Sequence, residues 1–528
     1  MKLNYKRVIF VGFAFFLITA FWQAYDTIIP KILTDKFGLS HKISGAIMAL
    51  DNIFALVLLP VFGAISDKVS SRHGKRTPFI VIGTVIAAVL LISLSIPDNT
   101  QLKNLESVAA TDGEAYTQAL ETIWDENPNV SDWRSDKITN ETYPLQDLIS
   151  REEFSSIPFT VKDTNGKDIT NPAYNTIVVP ARQAYAARMT AKNAAPLIFF
   201  MVLLFFTLVA MGTFRSPAVA LMPDVTVKPL RSKANAVINL MGTAGGILVL
   251  VLGKLFGTGS AKNALMSYTT FFAVVAGIML VGLAIFLWKV REVQWAAEMQ
   301  ADTVRLGLDT PAEEEQSGEQ RRLSRAEKLS LGLILASVVL WFMGYNAVTT
   351  KYAVYAGSVL NVDYNTTLLI AQGAAIAAYM PVGMLSSKLG RKKMILGGVV
   401  ILGASFLFAS FLSADSPNAV KQILMPTLFA TAGIGWATIN VNSYPMVVEL
   451  SRGSDVGKYT GFYYTASMSA QVVTPILSGV FLDMSMRTLF PYAAIFVALA
   501  FVTMFFVRHG DSKPDAAQVA LDAMGGED

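Results

Sequence analysis

The sequence predicts an all-α integral membrane protein with twelve transmembrane helices in two pseudo-symmetric halves of six. Three observations support this fold class: long apolar runs, little charge between them, and an internal repeat. The chain has 528 residues and is 53% hydrophobic but only 16% charged, whereas a soluble domain carries roughly 25% charged residues. Because backbone groups in lipid must be hydrogen-bonded within the protein, we expect these runs to be helices.

The apolar runs are long enough to cross a bilayer, which takes about 20 residues per helix. They lie near residues 8–30, 43–65, 79–96, 195–222, 235–257, 265–288, 330–354, 366–387, 394–413, 421–447, 456–482 and 489–507. A transmembrane β-barrel would instead show alternating segments of about ten residues. The first run continues into Trp22 and Asp26 without a small-residue cleavage site, which indicates a retained helix.

The distribution of basic residues predicts the orientation. With the N-terminus in the cytoplasm, the cytoplasmic segments hold more than half of the 43 Lys and Arg residues. This bias predicts a multi-pass protein of the inner or plasma membrane with both termini cytoplasmic. The same loops account for the net charge of +4, so no nucleic-acid partner is expected. We expect the protein to be a monomer embedded in the lipid bilayer.

Two parts of the chain resemble each other at constant spacing. FWQAYDTIIPK at 21–31 aligns with WFMGYNAVTTK at 341–351, an offset of 320 that also places Gly63 on Gly383. GKR at 74–76 then meets GRK at an offset of 316, and Asp224 meets Glu449 at an offset of 225. Parallel six-helix repeats are typical of a transporter architecture with its site between the repeats.

The fall in offset from 316 to 225 measures an insertion of 91 residues in the first half. The predicted organisation is helices 1–3 at 1–97, an extracytoplasmic insertion at 98–193, helices 4–6 at 194–289, a cytoplasmic linker at 290–328, helices 7–12 at 329–508 and a cytoplasmic tail at 509–528. Trp124, Trp133, Phe154 and Phe159 favour a small folded cap for the insertion. A flexible loop remains the alternative.

A glycine and charge motif follows the second apolar run, in GAISDKVSSRHGKRTPF at 63–79. Gly63 allows close helix contact, and Asp67 with the loop arginines can lock two helices together in one conformation. A weaker copy, GMLSSKLGRKK at 383–393, has Ser387 in place of the acid. Positive-inside anchoring alone is the alternative. The predicted conformational-switch set is Gly63, Asp67, Arg72, Gly74, Arg76, Asp224, Arg231, Gly383, Arg391 and Glu449.

The spacing of this motif resembles the loop motif of the major facilitator superfamily. RSPAVALMPDVTVKPLRSKANAVINLMGTAGG at 215–246 and GIGWATINVN at 433–442 resemble the glycoside–pentoside–hexuronide:cation symporters and the related sucrose transporters. The resemblance covers most of the chain except 98–193 and 290–328. It implies a secondary active transporter, not an enzyme, that carries a neutral sugar, di- or oligosaccharide or glycoside, by alternating access and without a cofactor.

The sequence departs from this family at its cation sites. The sodium-using members have carboxylates on helices 2 and 4. At the aligned positions this chain has Ala55, Leu59 and Arg215. Where the sucrose transporters have an acid on helix 4, it aligns Leu208. None of these residues can be an anionic ligand, so sodium is disfavoured and a proton is the expected coupling ion.

Two other acids lie inside the apolar runs, Asp51 near the middle of helix 2 and Asp26 in the outer part of helix 1. A carboxylate at bilayer depth costs at least about 2.5 kcal/mol, so it usually faces a cavity or partner. We predict that both acids take part in proton coupling. Trp22 and Gln23 share a helix face with Asp26, which suits a sugar, although an interfacial aromatic belt is the alternative for Trp22 and Tyr25.

Further polar side chains in both halves indicate a polar central cavity. The predicted substrate-binding set is Trp22, Gln23, Tyr25, Asp26, Asp51, Asn52, Arg215, Asn239, Tyr345, Asn346, Gln372, Trp436, Asn440, Asn442 and Gln471. Each amide alone could instead form a hydrogen bond between helices and have no part in binding. At 1.5 Å per residue, Arg215 and Asp26 differ in depth by roughly 20 Å, so no direct pairing is expected.

Two other functions stay open from the sequence. One is a proton-driven exporter of drugs or lipids, and the other is a non-transporting sensor that uses 98–193. The three histidines, His41, His73 and His509, are scattered and the chain has no cysteine. No metal site or enzymatic nucleophile is therefore predicted.

Overall fold

The computed structural model describes residues 3–132, 142–162, 168–305, 323–356, 360, 364–412, 416–451 and 455–511. Within these ranges, ten helical spans are long and apolar enough to cross a membrane. The chain is therefore a multi-span membrane protein with an all-helical transmembrane region. Residues 306–322 and 512–528, in the predicted linker and tail, lie outside the described residues.

The first half has six long helices. They are α1 (Tyr5–Lys31), α2 (Leu50–Lys68), α3 (Thr77–Ser93), α4 (Ala195–Asp224), α5 (Arg231–Leu255) and α6 (Thr269–Lys289). A π-helical turn, Ile32–Lys36, extends α1, and the short helix His41–Met48 precedes α2. After α6, the helix Glu292–Arg305 begins the segment between the halves.

The second half follows the same order. Its helices are α7 (Arg325–Tyr355), α8 (Tyr364–Leu389), α9 (Arg391–Ala409), α10 (Asn418–Glu449), α11 (Val456–Met484) and α12 (Leu489–Phe505). The ten candidate spans fall on α1–α10. Of the remaining two, α12 is apolar but only 17 residues long, and α11 is long but rich in Ser, Thr and Tyr.

The halves meet along two seams, α2 against α11 and α5 against α8. Glycine makes the first seam possible. A Cβ added at Gly63 would collide with the carbonyl oxygen of Gly457, and one added at Gly461 would collide with the backbone of Pro60. The helix backbones therefore touch directly, as small residues permit in membrane helix pairs.

The segment between α3 and α4 folds around a core of its own. Its helices are Ser95–Asn104, Gly113–Glu126, Leu145–Leu148, Arg151–Ser155 and Val179–Lys192, and its antiparallel pairs are β1 (Asn129–Ser131) with β2 (Thr142–Pro144) and β3 (Thr160–Lys162) with β4 (Asp168–Thr170). Leu120, Phe154 and Tyr174 are buried in this separate hydrophobic cluster. Trp133 lies outside the described residues.

A buried ion pair joins this segment to the first half. Lys36 Nζ lies 2.7 Å from Asp98 Oδ1, and neither side chain is exposed to solvent. The same ammonium donates to the carbonyl oxygen of Met266 at 2.7 Å and lies 4.4 Å from the ring centroid of Tyr268. The C-terminal ends of α1 and α3 are thus fixed to the start of α6, as a buried charge requires a close partner.

Hydrogen bonds continue this attachment to the end of α1. Gln183 Nε2 donates to Asp35 Oδ1 at 2.8 Å, and Thr190 Oγ1 donates to the carbonyl oxygen of Phe37 at 2.9 Å. Gly38 packs so closely against the helix Val179–Lys192 that any Cβ there would collide with its backbone.

We expect Gln183→Ala to lower the free energy of unfolding by about 1 kcal/mol, the usual contribution of one partly buried hydrogen bond. Thermal unfolding in detergent micelles, followed by tryptophan fluorescence, measures this effect. Gln118→Ala is the matched control, because Gln118 is exposed on the same segment. Equal unfolding midpoints for the two variants would show that the Gln183–Asp35 contact does not hold the segment.

Candidate functional site

Two adjoining cavities of about 200 and 150 Å³ lie between the halves. The first is lined by Phe15, Thr19, Gln23, Asn239, Gly242, Thr243, Gly246, Ile247, Leu250 and Gln372. The second is lined by Phe15, Arg215, Val219, Asn235, Asn239, Phe342, Asn440, Tyr444, Tyr463, Tyr464, Ser467, Met468 and Gln471. Since Phe15 and Asn239 line both, the cavities meet at these two side chains.

Several residues predicted from the sequence line these cavities. Gln23, Asn239 and Gln372 surround the first cavity, and Arg215, Asn239, Asn440 and Gln471 surround the second. They come from α1, α4, α5, α8, α10 and α11. Both halves therefore contribute amides that can donate and accept hydrogen bonds.

On α11, Gln471 is the only one of the cavity-lining residues that was predicted from the sequence. Tyr464, Ser467 and Met468 join Gln471 at intervals of three or four residues, the spacing that places side chains on one helix face. Polar side chains at this spacing inside an apolar run could have predicted from the sequence that this face of α11 lines the cavity. Tyr463 and Tyr444 also line the second cavity, and nothing local in the sequence marks them.

Arg215 connects the two halves at the second cavity. Its guanidinium lies 5.4 Å from the ring centroid of Trp22 on α1 and 5.0 Å from that of Tyr464 on α11. Its positive charge also acts on Asp26 and Asp51 through space, but among the described residues no ion pair joins it to either acid. This agrees with the expectation that Arg215 and Asp26 do not pair directly.

The side chains around Arg215 include unusual buried polar atoms. Among the described residues, Trp22 Nε1, Tyr25 Oη, Asp51 Oδ1, Asn52 Oδ1 and Arg215 Nε have no hydrogen-bond partner in the protein. Leaving a buried donor or acceptor unpaired costs about 1–3 kcal/mol. A concentration of such atoms at the site of two acids and one arginine is typical of a binding or proton-transfer site.

The remaining predicted residues fall in two places. Tyr345 and Trp436 stack on each other, with ring centroids 3.7 Å apart and an interplanar angle of 2°, and Trp436 also contacts the cavity residue Phe342 edge-on at 5.0 Å. Asn346 Nδ2 is buried without a partner. Asn442 is fully buried and donates to the carbonyl oxygen of Thr438 in its own helix, so it lines neither cavity.

A charge cluster closes the α2–α11 seam at one end of the bundle. Arg76 has no solvent exposure, and its Nε lies 2.7 Å from Asp224 Oδ2 while Nη2 lies 2.5 Å from Asp67 Oδ1. Asp67 also accepts hydrogen bonds at 2.9 Å from the backbone nitrogens of Gly457 and Lys458. An acid of the first half thereby caps the first turn of α11 in the second half.

A second cluster closes the α5–α8 seam at the same end. Arg391 Nη1 lies 2.7 Å from Glu449 Oε2, and Arg231 Nη1 lies 3.6 Å from the same oxygen. Arg391 also crosses to the first half, donating to Ser232 Oγ at 3.1 Å and to the carbonyl oxygen of Lys228. Arg72, which was predicted as part of the switch, is exposed instead.

Two acids that were not predicted from the sequence accept hydrogen bonds from backbone amides at the starts of α3 and α9. Glu292 accepts hydrogen bonds from the backbone nitrogens of Lys75, Arg76 and Thr77 at 2.7–2.8 Å. Asp511 accepts one from the backbone nitrogen of Arg391 at 2.7 Å. The preceding residues, Gly74 and Gly390, have φ of +104° and +88°, which glycine alone adopts without strain. Each acid follows the last helix of its half.

We expect Glu292→Ala to destabilise the protein by about 1–2 kcal/mol, because it leaves the first amides of α3 without their acceptor. The measurement is the midpoint of thermal unfolding in detergent. Gln300→Ala serves as the control, since Gln300 is exposed on the same helix. A midpoint unchanged from that of the control would show that solvent replaces the cap.

The fold and the polar cavity between two halves define a multi-span, all-helical membrane protein with a central site. The Major Facilitator Superfamily model matches residues 184–380 and 364–523, and the MFS/sugar transport protein model matches residues 10–105. The chain belongs to the major facilitator superfamily. The family predicted from the motifs at 63–79 and 215–246 is confirmed.

Solved structures share the fold at low sequence identity. The proton:xylose symporter XylE aligns over 98% of both chains with a TM-score of 0.54 and 16% identity. A variant of the Escherichia coli fucose:proton symporter FucP aligns over 96% of this chain and 100% of its own, with a TM-score of 0.56 and 13% identity.

Curated relatives match only in part. A protein of Escherichia coli (strain K12), provisionally named glycoside/cation symporter YagG, is 31% identical over 15% of this chain and 17% of its own. Sucrose transport protein SUC3 of Arabidopsis thaliana is 38% identical over 12% of this chain and 10% of its own. The matched stretches thus span less than a fifth of either relative.

Proposed function

We propose that this protein is a proton-coupled symporter that carries a neutral sugar, in the form of a di- or oligosaccharide or glycoside, by alternating access. One observation carries the proposal: an amide-lined cavity between the halves is also lined by Arg215, whose charge acts on the two carboxylates of Asp26 and Asp51. Amides from both halves can hydrogen-bond sugar hydroxyls, and the Tyr345–Trp436 pair offers an aromatic surface beside the same cavity.

The charges around Arg215 support a proton as the coupling ion. With Asp26 and Asp51 both ionised, the three groups carry a net charge of −1, and uptake of one proton makes the cluster neutral. Arg215 also contacts Tyr464 across the seam, so a change in its pairing acts on both halves. A proton can in this way bias the equilibrium between two conformations. Sodium remains less favoured, since no second-helix carboxylate stands at Ala55 or Leu59.

We also propose the full topology of twelve membrane spans, in which α11 and α12 complete the second half. Both termini then face the cytoplasm, and the segment 98–193 lies outside the inner or plasma membrane. The distribution of basic residues and the even number of spans support this arrangement. The protein works as a monomer in the bilayer.

The names of similar proteins agree with this proposal. XylE is titled a proton:xylose symporter and FucP a fucose:proton symporter, while the partial relatives are named for glycosides and sucrose.

A thermal-shift screen of the purified protein against mono- and disaccharides tests the substrate class, because a ligand that binds the folded state raises its apparent stability. Asn239→Ala and Gln372→Ala should each weaken binding about fivefold to tenfold through loss of one hydrogen bond. Gln300→Ala is the matched control. Stabilisation by hydrophobic cations or lipids, with none by sugars, would favour the exporter instead.

A further inference from the structure

A weak point lies in the outer part of α1. Pro30 is inside this helix, and because proline has no backbone N–H, the carbonyl oxygen of Asp26 loses its usual partner there. The helix continues as the π-helical turn Ile32–Lys36, and Thr34 Oγ1 donates to the carbonyl oxygen of Pro30 at 3.0 Å. Proline, π-helical turns and such side-chain hydrogen bonds are the usual causes of bends in helices. Without further contacts, the end of α1 would be free to bend next to Asp26.

The folded segment between α3 and α4 holds this end of α1 through buried side chains. Besides the buried Lys36–Asp98 pair, Gln101 Nε2 donates to the carbonyl oxygen of Lys36 at 2.9 Å and to Thr190 Oγ1 at 3.0 Å. Thr190 in turn donates to the carbonyl oxygen of Phe37 at 2.9 Å. Because Gln101 and Thr190 are buried, their hydrogen bonds are stronger than exposed ones. Both the backbone and the side chains at the end of α1 are therefore fixed.

The same end of α1 is tied to other helices of its own half. Lys31 Nζ donates to the carbonyl oxygen of Thr258, just after α5. The ring of Phe37 lies 5.4 Å from that of Phe200 on α4, measured between centroids. Together with the hydrogen bond from Lys36 at the start of α6, these contacts join the outer end of α1 to α4, α5 and α6.

The corresponding end of α7 has different contacts. At the offset of 320, Ala356 takes the place of Lys36 and has no charge to pair. Residues 410–417 alone connect α9 to α10, too short a stretch for a folded segment like the one between α3 and α4. Tyr355 packs edge-on against Phe490 of α12, with ring centroids 5.1 Å apart. Packing of this apolar kind permits small sliding movements between helices.

We propose that the segment between α3 and α4 is a splint for α1. It prevents α1 from bending at Pro30, so that Asp26 keeps its place in the first half and the outer side of the site opens by movement of the second half, including α7. Gln101 and Thr190 act through α1 and are positioning residues for Asp26. The inference deepens the proposed alternating access and rests on it.

Distances between two spin labels test this proposal without any sugar. The chain has no cysteine, so Lys103→Cys can be combined with Ser40→Cys beyond the end of α1, the α1 pair, or with Thr349→Cys on α7, the α7 pair. All three positions are exposed. Asp67→Asn weakens the α2–α11 seam and shifts the population of conformations. The α7 pair should then gain a second distance, whereas the α1 pair should keep a single narrow one.

Adding Thr190→Val removes the hydroxyl that bonds Phe37 and Gln101 at nearly constant side-chain size. It should broaden the distance distribution of the α1 pair at least about twofold, because the end of α1 loses part of its attachment. Thr122→Val is the matched control, since Thr122 donates to the carbonyl oxygen of Gln118 within its own helix of the same segment. It should leave both pairs unchanged.

Equal movement of the two label pairs in the Asp67→Asn protein would overturn the splint, as would an α1 pair that Thr190→Val leaves unchanged. No movement of either pair in any variant would overturn alternating access and the splint with it. Distances that change as expected, in a protein that takes up no sugar, would support the splint and overturn only the proposed substrate.

Discussion

Replacement of Asp51 by asparagine is expected to abolish accumulation of sugar driven by a pH gradient, with a loss of at least about 100-fold in the accumulated ratio. Asparagine is nearly isosteric but cannot take up and release a proton, so the cluster with Arg215 and Asp26 loses its titratable change of charge. Asp51 lies in the first turn of α2, within a candidate membrane span, where a carboxylate is costly to keep and is therefore functional by default. Uptake into proteoliposomes with an imposed pH gradient measures the effect.

The same variant should still exchange sugar at equilibrium, because the cavity amides are intact. Asp112→Asn is the control, since the Asp112 side chain is 80% exposed and pairs only with Lys262 in the described part of the chain. It should accumulate sugar as the parent does. Full accumulation by Asp51→Asn would exclude Asp51 from coupling. If Asp26→Asn alone then abolishes accumulation, the coupling proton resides on α1.

Removal of the Arg76 guanidinium is expected to cause the largest loss of stability. Arg76→Ala removes the cation that pairs with Asp67 at 2.5 Å and leaves Asp224 with its more distant partner Lys75 at 3.5 Å. Breaking a buried pair in this way typically costs about 3–5 kcal/mol. Asp67 then keeps its contacts with the first turn of α11 but loses the charge that balances it. We therefore expect a strongly lowered midpoint of thermal unfolding.

Arg72→Ala provides a matched comparison, because it removes the same charge from the same loop at an exposed position. Such a surface substitution should change stability by no more than about 0.5 kcal/mol. Similar midpoints for the two variants would show that Arg76 contributes only loop charge. The triple contact among Arg76, Asp67 and Asp224 would then be a feature without energetic consequence.

Local patterns in the sequence determined much of this protein. Apolar runs of membrane length predicted the long helices, because backbone hydrogen bonding in lipid leaves a helix as the only solution for a single segment. The repeated spacing predicted two halves, and the motif at 63–79 predicted that Asp67 and Arg76 cluster. Asn239 and Gln372 were predicted as cavity residues because polar side chains inside the apolar runs of both halves indicate a polar cavity, and Gln23 because it shares a helix face with Asp26.

Only the tertiary structure decided how these elements meet. It places Trp22 and Tyr464 on either side of Arg215, pairs Glu292 and Asp511 with distant helix starts, and excludes Asn442 from the cavities. Helical periodicity specifies which side chains share one face. It leaves open the tilt and rotation of one helix against another, which depend on the packing of all their neighbours. The contacts of Arg215 with Trp22 on α1 and Tyr464 on α11 depend on that packing.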